Sequence, residues 1–113
     1  MAWNIENTGQ GPIEIVGGRL PHSQFRAEER ELSPRPIVSP GESARLEFEV
    51  ACDGGPSMTV ENAFLILRVN WSKEPWRILA RMRVVLDEES TPRAITEMVT
   101  TQRIGFSVGR SEN

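Results

Sequence analysis

The sequence predicts an all-β fold, an antiparallel β-sandwich of about seven short strands with one long loop over residues 21–36. Three observations lead there. Small or apolar residues alternate with charged ones along segments such as 44–50 and 76–86. Clusters of Gly, Pro, Asn and Ser interrupt these segments at short spacing. No segment holds a 3.6-residue apolar period over the length of an ordinary helix. A closed barrel is the second architecture compatible with this pattern.

The first strand is expected over residues 3–7, closed by the turn material Thr8-Gly9-Gln10-Gly11-Pro12. The second runs over 13–20, where Gly17-Gly18 signals a bulge or a close backbone approach. As sequence neighbours, the two are expected to pair. From 21 to 36 the pattern breaks: Pro21, Pro34 and Pro36 cannot donate ladder hydrogen bonds, and the residues between are mostly charged or polar. This reads as the long loop, with one helical turn over 26–30 and Phe25 and Leu32 as its anchors.

After the Pro40-Gly41 turn, strict alternation over 44–50 puts Ala44, Leu46, Phe48 and Val50 inside and Arg45, Glu47 and Glu49 in water. Residues 59–71 are more continuously apolar, as in a central strand covered on both faces or a strand at a subunit contact; a buried helix is the competing reading, and Val60, Ile66 and Val69 favour the strand. The segment Trp71-Ser72-Lys73-Glu74-Pro75-Trp76 reads as a tight reversal into a strand that turns Trp76, Ile78, Ala80, Met82, Val84 and Leu86 inward. Arg77, Leu79, Arg81, Arg83 and Val85 then point out. A last strand is expected over 95–106. The organisation is one domain over 1–108 with a loose tail at 109–113.

Composition narrows the function classes. A chain of 113 residues with 38% hydrophobic and 26% charged residues is that of an ordinary folded domain. A net charge of -3 works against binding nucleic acid, which needs concentrated Lys and Arg. Cys52, the only cysteine, excludes an internal disulfide. No uncharged apolar run approaches the roughly 18 residues of a membrane span, and the first residues lack a signal-peptide pattern, so a cytoplasmic protein without membrane contact is expected.

Asn7-Thr8-Gly9, the β-rich stretch after it and the Pro-Gly-Glu-Ser turn at 40–43 opening an alternating strand together resemble the bacterial immunoglobulin-like modules of the CARDB and fibronectin-III-like kind, over roughly residues 3–50. The resemblance implies an immunoglobulin-like sandwich and a non-catalytic spacer, adhesion or assembly role. The long 21–36 insertion departs from such modules, and the Cys-Trp-Cys core of antibody domains is absent.

No motif points to catalysis, a cofactor or a metal. His22 stands beside Ser23 without a nucleophile elbow, and one His with one distant Cys cannot make a zinc site. Cys52 has no adjacent cation to activate it, and Asp53 opposes activation. The runs Glu28-Glu29-Glu31 and Asp87-Glu88-Glu89 lack the spacing of a calcium loop, and Asn70-Trp71-Ser72 is a chance-level glycosylation sequon. Arg68, Arg77, Arg81 and Arg83 form either an anion patch or cross-strand pairs with Glu47, Glu49 or Glu61.

Trp71 and Trp76 flank the reversal and are positioned for a cross-strand contact or a flat stacking platform. Leu65, Leu67 and Val69, read together with Leu79 and Val85, suggest an apolar stripe on the second face of the 63–86 hairpin. The expected partner-binding residues are therefore Leu65, Leu67, Val69, Trp71, Trp76, Leu79, Arg81 and Arg83. The expected function is a non-enzymatic protein-interaction or assembly module, homodimeric through that face. A carbohydrate-binding sandwich using Trp71 and Trp76 is the alternative.

Overall fold

The structure is a computed structural model, which describes residues 1–103. Among them lie nine strands and no helix: β1 (Ala2–Glu6), β2 (Ile13–Pro21), β3 (Phe25–Glu31), β4 (Ile37–Val38), β5 (Ser43–Glu47), β6 (Ala51–Cys52), β7 (Thr59–Trp71), β8 (Glu74–Leu86) and β9 (Pro92–Arg103). The expected C-terminal end of the last strand, 104–106, and the expected tail, 109–113, lie outside the described residues.

The strands form an antiparallel sandwich of unequal layers. The large sheet has the order β6-β3-β2-β7-β8-β9, with β4 also paired to β2, and the small sheet is β1-β5. The large sheet ends in edges at β6 and β9, so the fold is not a closed barrel. Trp3 joins the layers. Its ring meets Phe48 at 5.9 Å and Phe25 at 6.5 Å, both edge-on, and its indole N–H donates to the Met82 sulfur at 3.1 Å. Leu46 and Phe48 are buried from above, with Ala44 and Val50 half-buried beside them, as the alternation predicts. From the large sheet Ile15, Leu20, Phe25, Leu65, Leu67, Met82, Val84 and Leu86 close the core.

Gly17-Gly18 serves both expected purposes. The ladder of β2 slips on either side of the pair, between Ile15 and Gly17 toward β7 and between Gly18 and Leu20 toward β3. A side chain at Gly18 would meet Leu67 Cδ2 at 2.8 Å and Phe48 Cζ at 2.9 Å, so the layers approach closely here because glycine leaves the space empty. The reversal after β7 is a two-residue turn with Ser72 and Lys73 both at positive φ, 53° and 62°, the type I′ geometry whose twist matches a hairpin.

Two expectations are corrected. β1 pairs with β5, not β2, in the register Trp3↔Leu46 and Ile5↔Ala44, which puts the larger side chains of both strands over the core. The segment after β1 crosses between layers instead of folding back. Asn7 holds that crossing: its buried amide donates to the carbonyls of Gly11 and Val38, and its side-chain oxygen accepts from the Gly9 N–H. The 21–36 segment also contains β3, where the sequence suggests a helical turn. Phe25 anchors it as anticipated, fully buried. Phe25, Glu29 and Leu32, whose spacing suggests the helical turn, share no helix face: residues 26–31 run along a largely exposed strand, and Glu29 receives Arg68 from across β2 at 2.8 Å. Ladder bonds to β2 and this pairing override the helix preference of Ala, Glu and Arg.

Candidate functional site

Side chains on the inner face of β8 change character along the strand. Met82, Val84 and Leu86 are buried, whereas Trp76, Ile78 and Ala80 are half-buried. Their inner-face neighbours on β9 follow the same division: Ala94 is half-buried opposite Val84, but Val99, opposite Ala80, is 58% exposed, and Thr101, opposite Ile78, is exposed too. The cause is the size of the upper layer. Two strands span about 10 Å between outer edges once side chains are included, and they cannot roof a sheet more than twice that width. Above Ile78, Ala80, Val99 and Thr101 lies a groove of about 720 Å³, whose other wall is the run from Trp3 to Gly9 and whose end is closed by Trp71 and Trp76.

The wall offers hydrogen bonds as well as apolar surface. Asn7 N–H donates to Glu42 O at 2.9 Å, Asn7 O accepts from Gly41 at 2.7 Å, and Met1 O accepts from Phe48 at 2.9 Å. The odd-numbered residues of this stretch therefore turn their backbone groups toward β5. By the alternation of an antiparallel ladder, Asn4 and Glu6 turn theirs the other way. Among the described residues β5 is the only strand paired with β1, so this second edge is open, and it faces the groove.

Several expected contact residues sit elsewhere than the sequence suggests. Leu65, Leu67 and Val69 are buried at 1–2% exposure and face inward, paired with Ala80, Ile78 and Trp76. Leu79 and Val85 are on the opposite face with Ile66 and Phe64, so the expected stripe is split between two faces. Pairing across the two-residue turn joins odd-numbered residues of β7 to even-numbered ones of β8, which is the physical reason. Arg81 and Arg83 lie on the outer face and share Glu97, at 3.8 and 3.1 Å, while Arg83 also reaches Glu61 at 3.7 Å. With Arg68 held by Glu29, ion pairing between strands describes Arg68, Arg81 and Arg83 better than an open anion site. Glu47, another suggested partner, pairs with Arg45 instead.

Trp71 and Trp76 do meet, at 5.4 Å, but with ring planes 74° apart, so they make an edge contact and not a flat platform. Trp71 donates its indole N–H to Gln10 O at 3.0 Å and keeps 36% of its surface exposed. The remaining candidates have local roles. His22 Nδ1 accepts the Gln24 N–H, Asp53 pairs with Arg26, and Asp87 accepts the amides of Glu89 and Thr91 in its turn. Asn70 donates to Glu14. Among the described residues no three His, Cys, Asp or Glu side chains come together as a metal site.

Ile78, Ala80, Val99, Thr101 and the edge of β1 are not singled out by sequence. Inward alternation over 76–86 is the only signal that touches them, since the uncovered area depends on how many strands reach the upper layer. Comparison with protein families, with curated proteins and with solved structures gave no match. No helix among the described residues is long and apolar enough to cross a membrane.

Proposed function

We propose that this chain is a non-enzymatic protein-interaction module that takes an extended segment of a partner protein into the groove beside β1. The partner segment adds as a strand to the open edge, bonding the backbone of Asn4 and Glu6. Its apolar side chains, at every second position, rest on Ile78, Ala80 and Val99. The observation that carries this reading is the coincidence, among the described residues, of a free strand edge with an apolar inner face that has no layer above it. Main-chain bonds would supply affinity, and the pockets for alternate side chains would supply selectivity. The resemblance to immunoglobulin-like assembly modules agrees with this role.

The test is titration with synthetic eight-residue peptides of alternating Val and Thr, beside controls carrying proline at every third position, followed by backbone amide NMR. Binding by the first set, its absence for the controls, and its loss in Ala80→Arg support the reading. Peptides that leave the signals of Asn4, Glu6 and Ile78 unperturbed retire it.

A carbohydrate reading has one supporting observation, the exposed Trp71 at the groove's end. It expects quenching of tryptophan fluorescence by a glycan panel, abolished in Trp71→Ala. Silence across the panel removes it.

A further inference from the structure

β9 is a long edge strand with little to prevent it from pairing. It spans Pro92–Arg103, and among the described residues only β8 is bonded to it. Natural edges are usually shortened, charged or broken by proline. Here the one proline of the strand is its first residue, its two arginines, Arg93 and Arg103, stand at the ends, and the single acid, Glu97, is occupied by Arg83 at 3.1 Å. Ile95 at 42% and Met98 at 51% exposure stand on the outer face, and Val99 stands on the inner one.

The strand also carries a built-in mark of its partner. Arg81 pairs with Met98 and Met82 with Thr96, so Glu97 is an extra residue, a bulge near the middle of the strand. Before the bulge Ala94 and Thr96 face inward and Ile95 outward; after it Val99 and Thr101 face inward and Met98 and Thr100 outward. A regular strand added to this edge loses its face register on crossing Glu97. A second copy of β9 does not. With a two-fold axis between Glu97 and Met98, the half before one bulge lies against the half after the other. Val99 then meets Thr96, Ile95 meets Thr100, and Ala94 meets Thr101, inward with inward and outward with outward.

We infer that the chain forms a homodimer by antiparallel pairing of β9 with β9 of a second copy, centred on the Glu97 bulge, which joins the two large sheets into one. This inference does not depend on the groove reading. It moves self-association from the 63–86 hairpin face to the edge beside it, and the interface is isologous, as a two-fold contact must be.

The experiment is sedimentation of the full chain across a concentration series, beside Ile95→Lys/Thr100→Lys and Ile95→Lys/Thr100→Glu. Both positions are exposed and off the groove, so far-UV circular dichroism and peptide titration of the groove remain independent readouts. A dimer with a dissociation constant of about 10 μM is expected, as for a modest single-strand contact. In the double-lysine variant every introduced ammonium stands opposite an ammonium of the second copy, and this like-charge opposition raises the constant at least about tenfold. The Lys–Glu variant sets opposite charges at the same two contacts and returns the dimer. Either a monomeric full chain at about 100 μM, a double-lysine variant that dimerises unchanged, or a Lys–Glu variant that stays monomeric overturns the inference.

Discussion

Trp3 donates its indole N–H to the sulfur of Met82 at 3.1 Å, joining residues 79 positions apart and fastening the small sheet to the large one. Their contact fixes where the covered part of the large sheet ends. Met82 is fully buried beneath Trp3, while Ala80, one inward step along the same strand, is only half-buried and floors the groove.

Replacing Trp3 by alanine is expected to destabilise the fold by about 3–5 kcal/mol, since a large buried aromatic is lost together with its packing on Phe25 and Phe48. Urea unfolding followed by circular dichroism reads this directly. Trp3→Phe, which keeps a ring but not the N–H donor, should cost less.

Gly18→Ala should destabilise by roughly 1–3 kcal/mol, because its methyl group meets Leu67 and Phe48 below 3.0 Å in a closed core. Gly41→Ala is the contrast. It has open space around it, so its cost, about 1 kcal/mol, comes from a φ of +83° alone. Thermal melts of the two variants should rank them in that order.

Asn7→Ala leaves the buried Val38 carbonyl and the Gly11 carbonyl without their shared donor. A loss of roughly 1–3 kcal/mol is expected in denaturant titration. The larger structural consequence falls on the crossing from β1 to β2, so amides from Thr8 to Gly11 should exchange faster in the variant.

The Ser72-Lys73 turn holds two non-glycine residues at positive φ. Substituting Asn-Gly, the preferred pair for this geometry, should raise stability by about 0.5–1 kcal/mol and shift the melting temperature upward. An unchanged or lowered melting temperature would contradict the turn assignment.

Much of the lower sheet was legible because its signals are local. Alternation over 76–86 follows from period two, and the reversal at Ser72-Lys73 follows from a polar pair between apolar runs. The facing of Leu65, Leu67 and Val69 was legible in principle: a turn of even length pairs odd positions with even ones, so these residues had to share a face with Ile78 and Ala80, and not with Leu79. β3 was hidden because the charges at 28–31 fall on both of its faces, so apolar alternation stops after Phe25 and Ala27, and the strand is held by ladder bonds and by Arg68. The pairing of β1 with β5 was hidden for a different reason. It joins residues some forty positions apart, and the groove exists only because no further strand among the described residues stands beside β1.

The groove's open wall is best tested by residue-resolved amide hydrogen exchange along β1 in the unliganded protein. Slow exchange at Trp3 and Ile5 alternating with fast exchange at Asn4 and Glu6 is the predicted result. Equal protection at all four positions would mean that the edge is already bonded and that no strand can be received there.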